Sequence, residues 1–247
     1  MAMRSMYELI KPQMMGRDKF ITYCISLGFL RERKFKPTRT TDSSGVMRFP
    51  NLLLDLEINR INQAWSSDIT YYQIGEEVYY ITFILDNFSR LILGWQVSDG
   101  LRTEQTTLPA LLMAIKSRKG IDLSGLIFHS DGGGQYYAKI FLSYTQKNGI
   151  VNSMCEYAYE NGKAERINGV IKNNYLRYWP CSTKTELKKN VDRACTNYNT
   201  EKPHKALNKL SPVAFEKIWL TLEQQTKPKV TESLTAINSQ LGHRAPA

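Results

Sequence analysis

Three acidic residues stand in contexts that favour metal chemistry. Asp68 lies within a run rich in β-branched and aromatic residues, where a buried carboxylate without a partner is costly. Asp131 follows the apolar run LIFH and precedes three consecutive glycines, so we expect it where a strand ends and the backbone turns sharply. Glu165 lies in the segment ENGKAERINGVIK, whose apolar spacing predicts a helix.

These carboxylates have a shared chemistry only if the fold brings them together. Like charges repel at short range unless a cation neutralises them. Carboxylate oxygens suit Mg²⁺, which fills its remaining positions with water and phosphate oxygens. Two such ions about 3.5–4 Å apart can activate an attacking oxygen and stabilise a leaving one at phosphorus. The pattern therefore favours phosphoryl-transfer chemistry.

The elements that would position them follow from residue patterning. Residues rich in β-branched and aromatic side chains predict three consecutive strands, at 65–74, 78–86 and 90–98. Apolar spacing then predicts alternating helices and strands: helix 103–117, strand 126–129, helix 139–147, strand 150–154, and helices 160–178, 183–198 and 211–219.

This order predicts a mixed α/β sheet with a ribonuclease-H-like topology, in which three antiparallel strands precede parallel strands with flanking helices. The first and fourth strands of that fold are neighbours, so Asp68 and Asp131 would lie side by side. The helix that follows the last strand would bring Glu165 over them.

We expect four regions along the chain. Residues 1–50 form a basic helical DNA-binding remnant and linker: residues 2–27 read as helical, Gly28 suits a helix stop, and the basic run RERKFKPTR follows. Residues 51–180 form the catalytic core, residues 181–222 form C-terminal helices packed on it, and residues 223–247 form a flexible tail.

The charge distribution favours a polyanionic partner. The net charge is +10, and it divides into +5 over residues 1–60, −2 over 61–130, +2 over 131–180 and +5 over 181–247. Basic flanks attract nucleic acid through salt-dependent counterion release. No apolar run approaches a membrane span, and the four cysteines are too scattered for a zinc site. We expect a cytoplasmic protein without a membrane partner.

Several motifs, in their order along the chain, resemble those of a known protein family. AWSSDITYY, FILDNFSRLILGW, HSDGGGQY, ENGKAERINGVIK and YNTEKPHKAL resemble the integrase-core transposases of bacterial insertion sequences, relatives of retroviral integrase, from about residue 51 to 219. The resemblance implies a DDE-type DNA transposase that cleaves and joins strands with two Mg²⁺ ions, Mn²⁺ substituting. It implies double-stranded DNA as partner, a homo-oligomer on DNA, and Asp68, Asp131 and Glu165 as the catalytic, metal-binding triad.

One departure from the family pattern affects Glu165. Only 33 residues separate it from Asp131, about two fewer than in close relatives, and the shortfall falls in a loop, where deletions are best absorbed. Glu156 and Glu160 are therefore alternative candidates, although the AER context favours Glu165.

Four residues on the same predicted helix are expected to contact DNA. Lys172 lies seven residues after Glu165, on the same helix face, with Asn168 near that stripe. A lysine there would bind the scissile phosphate, a role that the resemblance also implies. Lys163 and Arg166 are expected to be general DNA contacts.

Three other residues have less specific expectations. Asp86, in LDNFSR, is typical of the family outside the triad and is expected to form a strand-end turn. His129 shares a strand face with Asp131, near the metal site or at the edge of the core. His204, in the YN…PH segment, is expected to support structure or contact DNA.

Two other functions remain open from the sequence. One is a hydrolytic nuclease of the same fold, against which the DITYY, NFSR and YN…PH motifs argue. The other is a catalytically impaired DNA-binding relic or inhibitor of transposition, which the shortened loop supports. Relatives often carry a longer N-terminal region, so we expect a chain that is truncated or completed by an upstream reading frame.

Overall fold

A computed structural model describes residues 3–29 and 49–221. The basic run at 31–39, nearly all of the predicted linker and the predicted tail lie outside the described residues. The described elements are α1 (Met3–Ile10), α2 (Arg17–Ser26), β1 (Ala64–Ile74), β2 (Glu77–Asp86), β3 (Ile92–Ser98), α3 (Thr107–Ser117), β4 (Ile127–Ser130), α4 (Lys139–Lys147), β5 (Val151–Met154), α5 (Gly162–Asn174), α6 (Lys184–Thr200) and α7 (Pro212–Thr221).

The five strands form one mixed sheet in the order β3-β2-β1-β4-β5. The first three strands pair antiparallel, and β1–β4 and β4–β5 pair parallel. This is the predicted ribonuclease-H-like arrangement, and the expected adjacency of the first and fourth strands is confirmed.

The register of β1 against β4 decides where the carboxylates lie. The parallel ladder ends with Ser66 opposite His129. Asp68 and Asp131 are each two residues beyond that pair, so both lie past the end of the ladder at the same edge of the sheet.

Helices cover both faces of the sheet, and strand alternation divides the core between them. Along β2, Ile81, Phe83 and Leu85 point to the face covered by α5 and α6. Ile84 points to the opposite face, which α3 and α4 cover. Because both faces are covered, residues 81–85 of β2 are mostly apolar on both sides.

Gly94 lets α3 lie close against β3. A Cβ atom added there would clash with the carbonyl oxygen of Ala110, because the helix backbone passes directly over this residue. The glycine within FILDNFSRLILGW is therefore required by a close approach between strand and helix.

The C-terminal helix α7 is joined to the core by an apolar cluster and a buried ion pair. Phe215 and Trp219 pack against Phe88, which follows β2. Glu216 binds Arg118 through two parallel hydrogen bonds of 2.8 and 2.5 Å, with both side chains less than 10% exposed.

Two predicted elements need correction. The predicted helix 160–178 is interrupted: a 3₁₀ turn covers Ala158–Asn161, α5 covers Gly162–Asn174, and a second 3₁₀ turn covers Leu176–Tyr178. The break follows from Tyr175, whose φ of −128° and ψ of −72° are not helical. Strand β3 begins at Ile92, because the preceding residues form a turn.

The N-terminal helices agree with the patterning. Gly16 and Gly28 bound α2, and Gly28 has a φ of 82°, the left-handed conformation expected of a helix stop. Within residues 3–29 and 49–221, no helix has both the length and the apolar character needed to span a bilayer.

Candidate active site

Asp68 projects from the middle of β1, where it pairs with Phe83 on β2. Its side chain is half-buried, and its Oδ2 accepts a 2.6 Å hydrogen bond from the Asn168 side chain. Burial and, next, the negative charge of Asp131 raise the pKa of Asp68 to about 8. A carboxylate at this position is therefore electrostatically unfavourable unless a cation offsets it.

Asp131 lies directly after β4, at the start of a glycine-rich turn. Its Oδ1 accepts a 3.1 Å hydrogen bond from the amide of Gly133. Burial raises the pKa of Asp131, although this amide bond lowers it in part. The turn fixes the side chain beside Asp68, as the strand register requires.

Glu165 lies in the first turn of α5 and is exposed. Its charge contributes to the raised pKa of Asp68, so the three predicted carboxylates interact electrostatically. Within the described part of the chain, however, no three His, Cys, Asp or Glu side chains converge closely enough to hold a metal ion. Asp68 and Asp131 thus form the compact part of the site.

The two alternative glutamates have different surroundings. The Glu160 carboxylate accepts hydrogen bonds of 2.7 and 3.1 Å from the amides of Glu156 and Tyr157, and so caps the 3₁₀ turn before α5. Glu156 is exposed. Among the three candidates, Glu165 is therefore the one with a free carboxylate whose charge acts on Asp68.

One face of α5 is attached to β1 by polar side chains. Asn161, just before the helix, donates to the carbonyl of Ser67, and Asn168 donates to Asp68. One turn further, the Lys172 ammonium donates to the carbonyl of Tyr71 at 2.7 Å and lies 4.6 Å from the centre of the Tyr71 ring. Burial lowers the pKa of Lys172. This face holds the helix against the carboxylate site.

Lys163 and Arg166 lie elsewhere. Both line a cavity on the other side of α5, together with residues of α6 and the segment that follows it. Burial and the nearby charge of Arg90 lower the pKa of Lys163 to about 8. The four predicted DNA contacts therefore belong to two separate surfaces.

His129 is a histidine of the core. It is fully buried, and its Nδ1 lies 3.0 Å from the hydroxyl of Ser153 on β5. Burial lowers its pKa to about 4, so the ring is neutral near pH 7. Of the two expectations for His129, the structure supports the edge of the core.

Asp86 is a turn former, as predicted. Its Oδ1 accepts hydrogen bonds from the amides of Phe88 and Ser89 at 2.8 and 2.9 Å, and its Oδ2 accepts one from the amide of Asn62 at 2.7 Å.

His204 packs edge-on against the ring of Tyr198, with ring centres 4.9 Å apart. It therefore supports structure at the end of α6.

Two contributors were not identified from the sequence. The hydroxyl of Tyr136 lies 2.9 Å from that of Ser67, and the charges of Asp131 and Asp68 both act on it. Arg90 reaches the cavity on the other side of α5. The sequence signal that could have identified Tyr136 is the GGGQY motif, which adjoins Asp131. The position of Arg90 depends on the tertiary fold.

The chain matches models of one domain over most of its described length. Two models described as integrase core domain match residues 59–159 and 146–212. Together they span β1 to the start of α7, and thus all three predicted carboxylates.

Similar curated proteins come from bacterial insertion sequences. An uncharacterized 31 kDa protein of insertion element IS600 from Shigella sonnei is 29% identical over 206 residues, covering 81% of this chain and 74% of the relative. The transposase of IS629 from the same organism is 32% identical, covering 65% and 53%. Transposase InsF of IS3fB from Escherichia coli K12 is 28% identical, covering 78% and 67%. The match thus spans between about half and three quarters of these relatives.

A solved structure supports the fold. The catalytic core domain of HTLV-2 integrase, in complex with magnesium, matches with a TM-score of 0.50 and 20% identity, over 62% of this chain and 95% of that chain. At this sequence identity, the match supports only the arrangement of strands and helices.

Proposed function

The chain belongs to the integrase-core family of bacterial insertion-sequence transposases, and from this premise we propose that it cleaves DNA at transposon ends and joins them to a second duplex. The observation that carries the proposal is the placement of Asp68 and Asp131. They lie side by side at one edge of the sheet, and the charges of Asp131 and Glu165 both act on Asp68.

The donor set fits a divalent cation. Carboxylate oxygens are the ligands that Mg²⁺ prefers, and a cation would relieve the repulsion between the neighbouring acidic groups. Asp68 and Asp131 would hold the metal, and the exposed Glu165 side chain, which does not converge with them in the structure, would turn towards them to complete the set from α5. Two bound Mg²⁺ ions, or Mn²⁺ in their place, would supply Lewis-acid stabilisation of charge on the attacking and leaving oxygens.

The protein's own residues position and restrain the site. Asn168 fixes one oxygen of Asp68, and the amide of Gly133 fixes one oxygen of Asp131. Preorganised groups of this kind lower the reorganisation needed during reaction. Lys172 lies on the same side of α5 and supplies the positive charge that a DNA phosphate near the carboxylates would meet.

We propose double-stranded DNA, both transposon ends and target, as the substrate, and a multimer that holds two ends together. The division into a basic N-terminal region, a catalytic core over 51–180, C-terminal helices to 222 and a tail remains part of this proposal. No covalent protein–DNA intermediate is required, because water or a 3′-hydroxyl can attack phosphorus directly.

A strand-transfer assay with Mg²⁺ tests the proposal, using DNA that carries the element's own ends. We expect joined product from the wild type and none from Asp131→Asn or Glu165→Gln, while an exposed control, Glu104→Gln, keeps activity. Cleavage without joining would instead indicate a nuclease of this fold. DNA binding without any chemistry would indicate the inactive relic, for which the shortened loop before Glu165 is the supporting observation.

A further inference from the structure

A basic cavity lies on the side of α5 that faces away from the carboxylates. Its volume is about 880 Å³. It lies between α1, α5, the turn after β2, and the end of α6 with the segment that follows it. No Asp or Glu of the described residues lines it, and the basic residues that do are Arg90, Lys163, Arg166, Lys202, His204 and Lys205.

Helix geometry separates this cavity from the active site. At about 100° per residue, positions 163, 166, 170 and 174 lie on one side of α5, and positions 165, 168 and 172 lie roughly opposite. The first set lines the cavity. In the second set, Asn168 and Lys172 bond to β1. A single DNA segment lying against Asp68 would therefore not contact the cavity side of the helix.

The turn after β2 holds Arg90 in place at the cavity. Arg90 has a φ of 64°, a conformation that costs energy for a residue with a side chain. Asp86 stabilises this turn, because its carboxylate binds the amides of Phe88 and Ser89 and its carbonyl binds the amide of Arg90 at 2.9 Å. These hydrogen bonds fix the backbone that carries Arg90 beside the cavity.

The charges in the cavity repel one another. Burial and the charge of Arg166 lower the pKa of Lys202 to about 8. Burial, followed by the charges of Lys202, Arg90 and Arg166, lowers the pKa of His204 to about 3. The Nε2 atom of His204 is also buried and has no hydrogen-bond partner among the described residues. An anion in the cavity would relieve the repulsion between these groups.

We propose that this cavity binds the phosphate backbone of a DNA duplex at a place separate from the carboxylate site. The inference rests on the proposed function for the choice of DNA as the anion. The cations come from three separate chain segments, and positive charge without an acidic neighbour in the cavity favours the phosphates of a polyanion. The enzyme must handle more than one duplex, and this second surface would hold one while the carboxylates act on another.

DNA binding without divalent metal tests the proposal. The probe is a labelled duplex of about 30 base pairs without transposon ends, titrated in EDTA between about 50 and 200 mM salt. In Arg166→Gln/Lys202→Gln, two phosphate contacts are lost. We expect the slope of log K against log[salt] to become shallower by about 2, with an affinity loss of about tenfold or more at the lowest salt.

A matched variant controls for net charge. Lys188→Gln/Lys189→Gln removes two exposed lysines of α6 that do not line the cavity, so we expect its slope to change by much less. An equal change in both variants would overturn the proposal, as would an unchanged slope in the cavity variant. Thermal melting checks the fold, and because the removed charges repel each other we expect the cavity variant to melt no lower than the wild type.

A melting experiment with inorganic phosphate distinguishes a cavity that binds DNA from one that binds a small free anion. If sub-millimolar phosphate raises the melting temperature of the wild type but not of the cavity variant, while the DNA salt slopes agree, the cavity binds the free anion and the proposal fails. The strand-transfer assay reads a different property. If the wild type shows no strand transfer but the cavity variant has the shallower salt slope, the proposed function alone is refuted. If the wild type shows normal strand transfer but the wild type and the cavity variant have equal salt slopes, this inference alone is refuted.

Discussion

The buried ion pair between Glu216 and Arg118 is expected to be essential for the stability of this fold. It joins α7 to the end of α3, with hydrogen bonds of 2.8 and 2.5 Å and side chains 8% and 9% exposed. Glu216 also accepts a 2.6 Å hydrogen bond from Ser89, and the Arg118 Nε donates to Asn62 at 3.0 Å. Removing one partner would leave the other buried and poorly compensated.

The Glu216→Gln variant tests this with little change of volume. An amide can replace only part of the bonding and leaves the guanidinium without a counter-charge. Breaking a buried pair in this way costs about 3–5 kcal/mol. For a chain of this size, about 2–4 °C is lost per kcal/mol, so we expect the melting temperature to fall by roughly 6–20 °C.

The assay is thermal and urea unfolding, compared with Glu104→Gln, which makes the same chemical change at an exposed position. Adding Arg118→Met to Glu216→Gln should cost less than the sum of the two single variants, because it removes the unpaired charge. A loss in Glu216→Gln within about 0.5 kcal/mol of the control, a size typical of surface changes, would refute the reasoning.

Two further changes have expected outcomes. Gly94→Ala should lower the free energy of unfolding by about 1–3 kcal/mol, because the added methyl group meets the carbonyl of Ala110; a Gly16→Ala loss of equal size in urea unfolding would contradict this, since no atom lies within 4 Å of an added Cβ there and its φ of −67° suits alanine. Asp68→Asn should weaken the pH dependence of stability: the pKa of Asp68 is about 8 when folded and about 3.9 when unfolded, so the wild type loses stability as the pH rises from 6 to 8. Urea unfolding in metal-free buffer at both pH values should show the wild type losing about 2 kcal/mol more than the variant, and parallel losses would count against the assignment.

Residue patterning determined the elements and their order. Runs of apolar, β-branched and aromatic residues predicted all five strands, because such side chains pack well on sheet faces that helices cover. The motif around Asp86 predicted its turn, since an aspartate can bind the amides of the next residues wherever the chain folds. Local chemistry of this kind needs no knowledge of distant residues.

The helix boundaries were less well determined. The apolar spacing of 160–178 favoured one continuous helix, but packing of Tyr175 and Trp179 against the core ends α5 at Asn174. Propensity is weak compared with the burial of large aromatic side chains, so tertiary contacts decided this boundary.

Only the tertiary structure decided which residues from other parts of the chain join the charged residues of α5. Sequence spacing placed Lys172 with Glu165 on one helix face, but it could not assign Lys163 and Arg166 to a cavity with Arg90 and Lys202. Those four residues are brought together by the packing of α5 against the segment after α6 and by the turn at Asp86. Separation along the chain gives no information about such contacts, because they are fixed by long-range packing of the hydrophobic core.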